Sequence, residues 1–307
     1  MADDHAVSVV LPTYGRPAYF EDAVKSVVTQ TYPAVELVVV DDCSPEPVAP
    51  LLDGIDTDGV DVTLVRHEEN RGAAAARNTG IDAVRGRYVA FIDDDDVWLE
   101  TKLERQLAAM NSSGPNVGAV YTGQRYVDDG RTTNVRTPTT SGDVTEAMLR
   151  GASLNPFSCM LVEKSVVDTA GGVDVRFPSW QDREWYFRLS LHTEFAAVPE
   201  PLVVRRMGHE QISGDYETKR DVSYPLLLNK HLDLAREYGC EGAFRATLLR
   251  SLAGTALDSG RYRDAVRHAL AAVRHRPTYG LAWMTMAAAV GGPVTHDLAK
   301  RVNRSVR

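Results

Sequence analysis

The sequence predicts an α/β protein in which a mainly parallel sheet is sandwiched by helices. Short valine-rich runs alternate with helix-prone segments along the first third of the chain. The runs are predominantly apolar, as expected of strands covered on both faces. The strands are predicted at residues 7–11, 35–40, 62–66 and 87–92. Strands and helices that alternate in this way form parallel sheets, which bind ligands beyond the carboxyl ends of their strands.

Two helices are predicted between these strands. Ala23, Val24, Val27 and Val28 recur at helical spacing, and that helix should end before Pro33. The alanine-rich segment 72–84 is helix-prone and lies between the third and fourth strands. Together these segments give the order of elements that a parallel sheet requires.

The pattern changes after about residue 114. The sequence predicts strands at 117–122 and 124–127, a hairpin turn at Asp129-Gly130, a short helix at 143–150 and a buried strand at 157–162. An amphipathic helix at 180–191 and an edge strand at 202–207 follow. Beyond residue 217 the pattern is helical, and two helices interrupted at Ser259-Gly260 resemble one tetratricopeptide-type hairpin.

The charge is divided unevenly along the chain. Residues 1–240 carry 23 Lys and Arg against 38 Asp and Glu, a net charge of −15, whereas residues 241–307 carry 11 against 4, a net charge of +7. The basic region also contains an apolar run at 281–290. It is either a helical cap whose Trp283 and Met284 fill a core, or a surface that rests on an anionic membrane. No nucleic-acid partner is expected.

The sequence contains no signal of export or membrane insertion. Its first apolar run is too short for a signal peptide, and no stretch reaches the roughly 20 apolar residues of a membrane-spanning helix. The three cysteines are widely separated and suggest neither a zinc site nor a disulfide framework. We therefore expect a cytoplasmic protein, with peripheral contact at the inner membrane face as the alternative.

Polar residues follow each of the four predicted strands and should meet at one edge of the sheet. The clusters are Pro12-Thr13-Tyr14-Gly15-Arg16, Asp41-Asp42-Cys43-Ser44, Asn70-Arg71-Gly72 with Arg77 and Asn78, and Asp93-Asp94-Asp95-Asp96. Four consecutive carboxylates repel one another unless a cation compensates. Mg²⁺ and Mn²⁺ prefer oxygen ligands, so the alternating Asp93 and Asp95 predict a divalent-metal site.

Two other nucleotide-binding classes are excluded by the residues after the first strand. A dinucleotide-binding dehydrogenase needs Gly-x-Gly-x-x-Gly there, but this chain has Pro-Thr-Tyr-Gly-Arg-Pro. A P-loop kinase needs Gly-x4-Gly-Lys-Ser/Thr, and the sequence contains no such motif.

Several separated motifs resemble the family 2 glycosyltransferases of the GT-A fold over about residues 5–215. They read SVVLPTY at 8–14, VVDDCS at 39–44, NRG at 70–72 with ARN at 76–78, and FIDDDDVW at 91–98. The resemblance implies that a divalent cation, Mn²⁺ or Mg²⁺, is bound by Asp95 with Asp93, and that Asp94 binds the ribose. It implies a donor-binding set of Pro12, Thr13, Tyr14, Arg16, Asp42, Asn70, Arg77, Asp94 and Arg206, with His209 at the metal or diphosphate.

The family also places a catalytic base on a later helix, usually within an acidic pair. Here the first acid of that pair is replaced by Gln181, and Asp182 alone matches. Asp182 would accept the proton of the acceptor hydroxyl, and Glu184 is the second candidate. Because Glu184 lies two residues further on, it should face away from the site if Asp182 faces it.

The resemblance implies an inverting transfer of a sugar from a UDP- or GDP-type donor to a saccharide or lipid-linked acceptor. The GT-A domain would span residues 1–216, with a nucleotide-binding half at 1–112 and an acceptor-binding half at 113–216, and a helical region would follow at 217–307. The substitution by Gln181 leaves one alternative open, a nucleotide-sugar-binding or scaffold protein without transferase activity.

Overall fold

The computed structural model describes residues 7–57, 59–207 and 215–296 of the 307. Within these residues the strands form one nine-stranded mixed sheet in the order β3-β2-β1-β4-β8-β6-β9-β5, with β7 paired to β6. The strands are β1 (Val7–Thr13), β2 (Val35–Asp41), β3 (Asp61–Arg66), β4 (Tyr88–Phe91), β5 (Asp96–Trp98), β6 (Val117–Asp128), β7 (Arg131–Arg136), β8 (Met160–Glu163) and β9 (Glu194–Arg206).

The helices cover both faces of the sheet's first half and make up most of the C-terminal region. They are α1 (Pro17–Val28), α2 (Ala49–Asp53), α3 (Ala73–Ala83), α4 (Lys102–Ser112), α5 (Thr145–Leu149), α6 (Lys164–Ala170), α7 (Gln181–Leu189), α8 (Tyr216–Thr218), α9 (Tyr224–Glu237), α10 (Glu241–Asp258), α11 (Tyr262–His275) and α12 (Gly280–Val290). A short π-helical segment, Lys219–Ser223, joins α8 to α9.

The four strands that the sequence predicted form the parallel half of the sheet. β1 lies between β2 and β4, and β3 pairs with the outer side of β2. Every residue of β1 and β2 is buried, which explains why both strands are predominantly apolar. β3 lies at the edge and is partly exposed. The predicted parallel sheet is therefore confirmed.

Small residues allow α3 to approach β1 closely. A Cβ atom added at Gly80 would lie 2.3 Å from Cγ1 of Val10, far closer than real Cβ contacts. The alanines at 74–76 are also buried against the sheet. This close packing holds Arg77, which lies on the same helix, at the edge of the sheet where β4 ends.

The other half of the sheet differs from two predictions. Residues 202–207 were predicted to form an edge strand, but β9 lies between β6 and β5. The prediction was wrong because the chain folds back directly after the acidic run, so that β5 pairs antiparallel with the outer side of β9. The strands expected at 117–122 and 124–127 are one strand, β6, whose pairing with β9 shifts register at Gly123.

The same half of the sheet contains the predicted hairpin turn and the strand predicted at 157–162. The hairpin at Asp129-Gly130 is confirmed, since both residues have positive φ angles, 47° and 73°, as a type I′ turn requires. The buried strand predicted at 157–162 is correct only in its second part. Phe157–Cys159 forms a 3₁₀ turn, and β8 begins at Met160.

The described residues form two compact units. One contains the residues up to 144 together with 154–175 and 181–207, and the other contains 145–153, 176–180 and 215–296. The boundary predicted near residue 216 stays a prediction; the compact unit that contains the C-terminal helices also includes 145–153 and 176–180. Within that unit α10 packs against α11, and α11 against α12. Gly260, with a φ angle of 72°, lies in the turn between α10 and α11.

None of the helices in the described ranges has the length and hydrophobicity needed to cross a bilayer.

Candidate active site

The polar cluster after β1 meets the acidic run after β4. Thr13 Oγ1 donates to Asp94 Oδ2 at 2.8 Å, and the backbone N–H of Tyr14 lies 3.4 Å from the same oxygen. Arg16 Nη1 lies 2.6 Å from Asp95 Oδ2 and 3.3 Å from Asp94 Oδ1. These contacts bring together segments about 80 residues apart in sequence because β1 and β4 are parallel neighbours. The ring of Tyr14 is half exposed beside them.

Burial controls the protonation of Asp94. It raises the pKa of this carboxyl from 3.8 to about 6, although Arg16 and the hydrogen bond from Thr13 lower it and the neighbouring Asp95 raises it further. As a carboxylate, Asp94 can also accept a hydrogen bond from a hydroxyl group.

Asp42, after β2, organises the loop between β3 and α3. Its two carboxylate oxygens accept the backbone N–H groups of Arg71 and Gly72 at 2.9 and 2.7 Å. Oδ1 also lies 2.6 Å from Nδ1 of the buried His67, whose Nε2 lies 2.9 Å from Thr79 Oγ1. Sequence reasoning missed His67, although its position directly after β3 was a usable signal.

The same loop exposes Asn70 to solvent. Asp42 is buried, and its three contacts with Arg71, Gly72 and His67 use only part of its hydrogen-bonding capacity. A carboxylate can accept about four hydrogen bonds. Pro12, within β1, is buried and lies beside Val40 of β2. It can contribute backbone and packing to the edge of the sheet.

Arg77 joins the acidic run to the helix that carries Asp182. Its Nη2 lies 2.5 Å from Asp93 Oδ1, and its Nη1 donates to Gln181 Oε1 at 2.9 Å. The guanidinium group also stacks on the ring of Phe157, 4.2 Å from the ring centroid. Arg77 is almost completely buried. The structure therefore shows it as a bridge within the site.

Asp93, Asp95 and Asp96 form the one cluster of potential metal ligands among the residues described. One carboxylate oxygen from each lies within 4.8 Å of those of the other two. Sequence reasoning selected Asp93 and Asp95 by their alternation and missed Asp96, which β5 turns inward.

Ser158 holds this acidic segment in place. Its buried hydroxyl accepts the backbone N–H of Asp93 at 3.0 Å and donates to Asp96 Oδ2 at 2.6 Å. Asp96 Oδ1 is buried and has no hydrogen-bond partner among the described residues. Burial raises the pKa of Asp96 to about 8, while the positive charge of Arg205 opposes that increase.

Arg205, rather than Arg206, lies at the acidic cluster. β5 places Asp96 opposite Arg205. Burial lowers the pKa of Arg205, but the negative charges of Asp96 and the other carboxylates outweigh this effect. The pKa of Arg205 therefore lies above its ordinary value. Successive residues of a strand point to opposite faces. Arg206 accordingly points elsewhere and binds Asp22 at 2.6 Å, so the structure does not bring it to the predicted donor site. His209 lies outside the described residues.

Asp182, at the start of α7, shares the electrostatic environment of the acidic run. Its Oδ1 accepts the backbone N–H of Arg183 at 2.7 Å. Burial raises the pKa of Asp182; Arg77 and Arg205 lower it, and Asp93 raises it. Asp182 therefore lies near enough to Arg77, Arg205 and Asp93 for their charges to affect its pKa.

Glu184, the second candidate base, has a different partner. Its two carboxylate oxygens bind Arg188 at 2.9 and 3.0 Å, and it is fully buried. Arg188 in turn donates to the carbonyl of Gly172. The hydroxyl of Tyr186, also on α7, is buried without a hydrogen-bond partner among the described residues. Sequence reasoning did not identify Tyr186.

The family model of glycosyl transferase family 2 matches residues 8–170, which is more than half of the chain. The chain belongs to glycosyl transferase family 2. The matched segment contains the four strand-end clusters and Ser158, and it ends before Gln181 and Asp182.

Curated relatives are consistent with this family. Over 104 residues the chain is 44% identical to TuaG of Bacillus subtilis, a glycosyltransferase assigned to teichuronic acid biosynthesis, covering 34% of this chain and 41% of TuaG. It is 36% identical over 120 residues to the Escherichia coli UDP-Glc:α-D-GlcNAc-diphosphoundecaprenol β-1,3-glucosyltransferase WfgD, covering 39% and 46%. The matched segments thus span less than half of the length of these two relatives.

Solved structures resemble the fold over nearly the whole chain. S. aureus TarS in complex with UDP-GlcNAc has a TM-score of 0.61 at 15% identity and covers 93% of this chain and 92% of that one. The mannosyltransferase PcManGT of Pyrobaculum calidifontis, in complex with GDP-Man and Mn²⁺, has a TM-score of 0.60 at 19% identity and covers 98% and 86%. At these identities the likeness shows the GT-A fold of the family 2 protein.

Proposed function

We propose that this chain is a metal-dependent, inverting glycosyltransferase that uses a UDP- or GDP-type sugar donor. The observation that carries the proposal is the grouping of the acidic run with Asp182, bridged through Arg77 and Gln181. An inverting glycosyl transfer needs a site for the donor diphosphate and a base for the acceptor on opposite sides of one reacting carbon. The two ends of this bridge are suited to those two roles.

The acidic residues fit a divalent cation. Three carboxylate oxygens lie close together, and the buried Asp96 Oδ1 is an acceptor that no described protein group satisfies. Oxygen-rich sites of this kind suit Mg²⁺ and Mn²⁺. Asp93, Asp95 and Asp96 would hold the cation, to which His209 remains a proposed further ligand. A cation bound there would neutralise charge on the departing nucleotide diphosphate.

The donor nucleotide would lie along the ends of β1 and β2. The exposed ring of Tyr14 is available to stack on a nucleobase, and Asp94 is held by Thr13 and Arg16 where it can bind a ribose hydroxyl. Asp42 and Asn70 would contact the base from the neighbouring loop. Binding of UDP-GlcNAc by TarS and of GDP-Man by PcManGT supports a nucleotide-sugar donor.

Asp182 would act as the base. Its carboxylate accepts the proton of the acceptor hydroxyl while that oxygen bonds to the anomeric carbon. The bond from this carbon to the diphosphate oxygen breaks, and the nucleotide diphosphate leaves with the electron pair. A single displacement inverts the configuration. Arg205, a half-buried cation beside the carboxylates, would stabilise the charge that grows on the leaving group.

The acceptor class is proposed from a relative. The name of the Escherichia coli protein WfgD describes a sugar linked through a diphosphate to undecaprenol as its acceptor. A lipid-linked saccharide is therefore the acceptor we propose here, in preference to a free sugar. This chain would then work at the cytoplasmic face of the membrane that contains the lipid.

Donor turnover tests this function. We would measure hydrolysis and transfer with UDP-Glc, UDP-GlcNAc and GDP-Man, with Mn²⁺ or Mg²⁺, for the wild type and Asp182→Asn. Removing a general base should reduce turnover by about 10²–10⁴-fold. Asp168→Asn is the matched control, because Asp168 is an exposed carboxylate that binds Lys164 on α6.

The possible outcomes separate the interpretations. Donor binding without turnover by the wild type would favour a nucleotide-sugar-binding protein. Equal turnover by the wild type and Asp182→Asn would remove Asp182 as the base. A product whose anomeric configuration matches the donor, determined by NMR, would refute inversion.

A further inference from the structure

The helix α12 exposes much of its apolar surface. Its sequence, GLAWMTMAAAV, contains no charged residue. The exposed fractions are 53% for Leu281, 47% for Trp283, 68% for Met284 and 70% for Val290. The interpretation in which Trp283 and Met284 fill a core is therefore wrong. Large apolar side chains exposed together in this way mark interaction surfaces.

The neighbouring helix α11 carries a row of exposed arginines. Arg263, Arg267 and Arg274 lie on one helical face with Leu270, at spacings of four, three and four residues. The side chain of Arg267 is 80% exposed and lies 3.7 Å from Asp264. Within the described parts of the chain, Arg263 and Arg274 have no acidic partner. Asp264 is the one acidic residue in the sequence from 262 to 296.

We propose that α11 and α12 form a surface that binds anionic phospholipid bilayers. This α11–α12 surface consists of Arg263, Arg267, Arg274, Trp283, Met284 and Val290. Bilayer interfaces take up exposed tryptophan, methionine and valine, while anionic headgroups attract adjacent arginines. α11 packs against α12, so the charged and apolar rows lie on adjoining helices. The proposal goes beyond the transferase function and does not depend on it.

Charge argues for a lipid surface over a second copy of the chain. A two-fold contact would use the same surface patch of both subunits, so both arginine rows would lie in one interface. Like charges brought together in this way repel. An anionic bilayer instead complements the whole row and offers an apolar layer for α12.

Vesicle flotation of the full-length chain tests the proposal. We would use phosphatidylcholine vesicles with and without an equal amount of phosphatidylglycerol, at low and high salt. The wild type should float with the anionic vesicles at low salt only. Brominated lipids should quench the emission of Trp283, which is more exposed than Trp98 and Trp185, and Trp283→Phe should lose that signal.

Two sets of surface substitutions locate the binding. Reversal of Arg263, Arg267 and Arg274 to Glu should weaken binding by about 100-fold or more, since each basic residue contributes roughly fivefold at an anionic surface. Met284→Gln with Val290→Gln should weaken it by at least about tenfold.

Matched controls distinguish the position of the substitutions from their effects on net charge and on exposed apolar surface. Reversal of Arg105, Arg131 and Arg136, which lie in the other unit, makes the same change in net charge. Val175→Gln with Leu191→Gln removes two similarly exposed apolar side chains from that unit. Both control sets should float like the wild type. All variants should retain the wild-type melting temperature, because the substituted side chains are exposed.

Three results would overturn the proposal. The first is failure of the wild type to float with anionic vesicles at low salt. The second is unchanged flotation of both α11–α12 variants. The third is loss of binding only when Lys300, Arg301 and Arg304 are reversed, which would assign the membrane contact to the C-terminal tail. If the first result is accompanied by a stable dimer, the surface is assigned to a second copy.

Discussion

The bridge from Asp93 through Arg77 to Gln181 can be tested by a double-mutant cycle. We would compare Arg77→Met, Gln181→Leu and the double variant with the wild type. The cycle isolates the interaction between Arg77 and Gln181 from the other contacts that each side chain makes. Because the cycle measures protein stability in EDTA, it does not depend on a bound metal or on activity.

The expected magnitude follows from the geometry. The donor is a buried guanidinium and the acceptor an amide oxygen at 2.9 Å, so the pair should contribute about 1.5–3 kcal/mol. Arg77→Met alone should cost more, about 2–4 kcal/mol, since it also removes the ion pair with Asp93 and the stacking on Phe157.

Urea denaturation followed by tryptophan fluorescence measures these free energies. Trp98 and Trp185 are buried in the unit that contains the site and report on its unfolding. The control cycle uses Arg87 and Glu163, an ion pair at 3.1 Å whose side chains are 49% and 24% exposed. Solvent screening should keep that coupling below about 1 kcal/mol.

The reasoning would be refuted by a coupling between Arg77 and Gln181 no larger than that of the surface pair. It would then follow that Gln181 replaces the usual acid without being held by Arg77. A coupling in the expected range would explain why an amide is tolerated beside Asp182.

Three further outcomes are expected. Because burial raises the pKa of Asp182, its proton-accepting form should be lost as pH falls through that raised pKa; turnover should decline there, and Asp182→Asn should lack this limb of the pH–rate profile. Burial lowers the pKa of Lys102 from 10.5 to about 7. Between pH 7 and 10.5 Lys102 is therefore protonated in the unfolded chain but not in the folded one, so the free energy of unfolding should rise with pH across this interval. In urea denaturation, Lys102→Met should abolish this increase of the free energy of unfolding with pH. The substitution should also stabilise the protein at neutral pH by at most about 5 kcal/mol, and by less because it removes the stacking of Lys102 on Trp98. An unchanged dependence on pH would contradict this prediction. His67→Phe should raise the KM for the donor by about tenfold with little change in kcat, because it removes the hydrogen bond that holds Asp42 and its loop. His67→Gln should restore part of the affinity. Equal KM values for the wild type and His67→Phe would show that His67 does not position the loop.

Much of the site could be predicted because its residues follow strands. A fully buried strand can be recognised by its high content of valine, and parallel neighbours place their carboxyl ends at one edge. Thr13, Arg16 and the acidic run therefore meet as the sequence predicts. Asp182 could be proposed only from the family resemblance, since its position depends on the path of α7.

The errors arose where pairing partners are distant in sequence. The sequence of residues 202–207 does not indicate that β5 pairs with their outer side, so an edge strand was predicted there. The same pairing selects Arg205 over Arg206, because alternation along a strand sends only one of two adjacent arginines toward Asp96. Ser158 was missed for a related reason, since a hydrogen bond to the site gives a single residue no periodic signal.

The sequence by itself determined the fold class, the family and the edge of the sheet at which the polar residues gather. Those features depend on local periodicity and on short motifs with fixed spacing. Tertiary structure alone decided that Asp96 joins the acidic cluster, that Arg77 binds Gln181, and that Trp283 and Met284 are exposed. Each of these depends on which distant segment packs against a residue, and burial of that kind is a property of the whole folded chain.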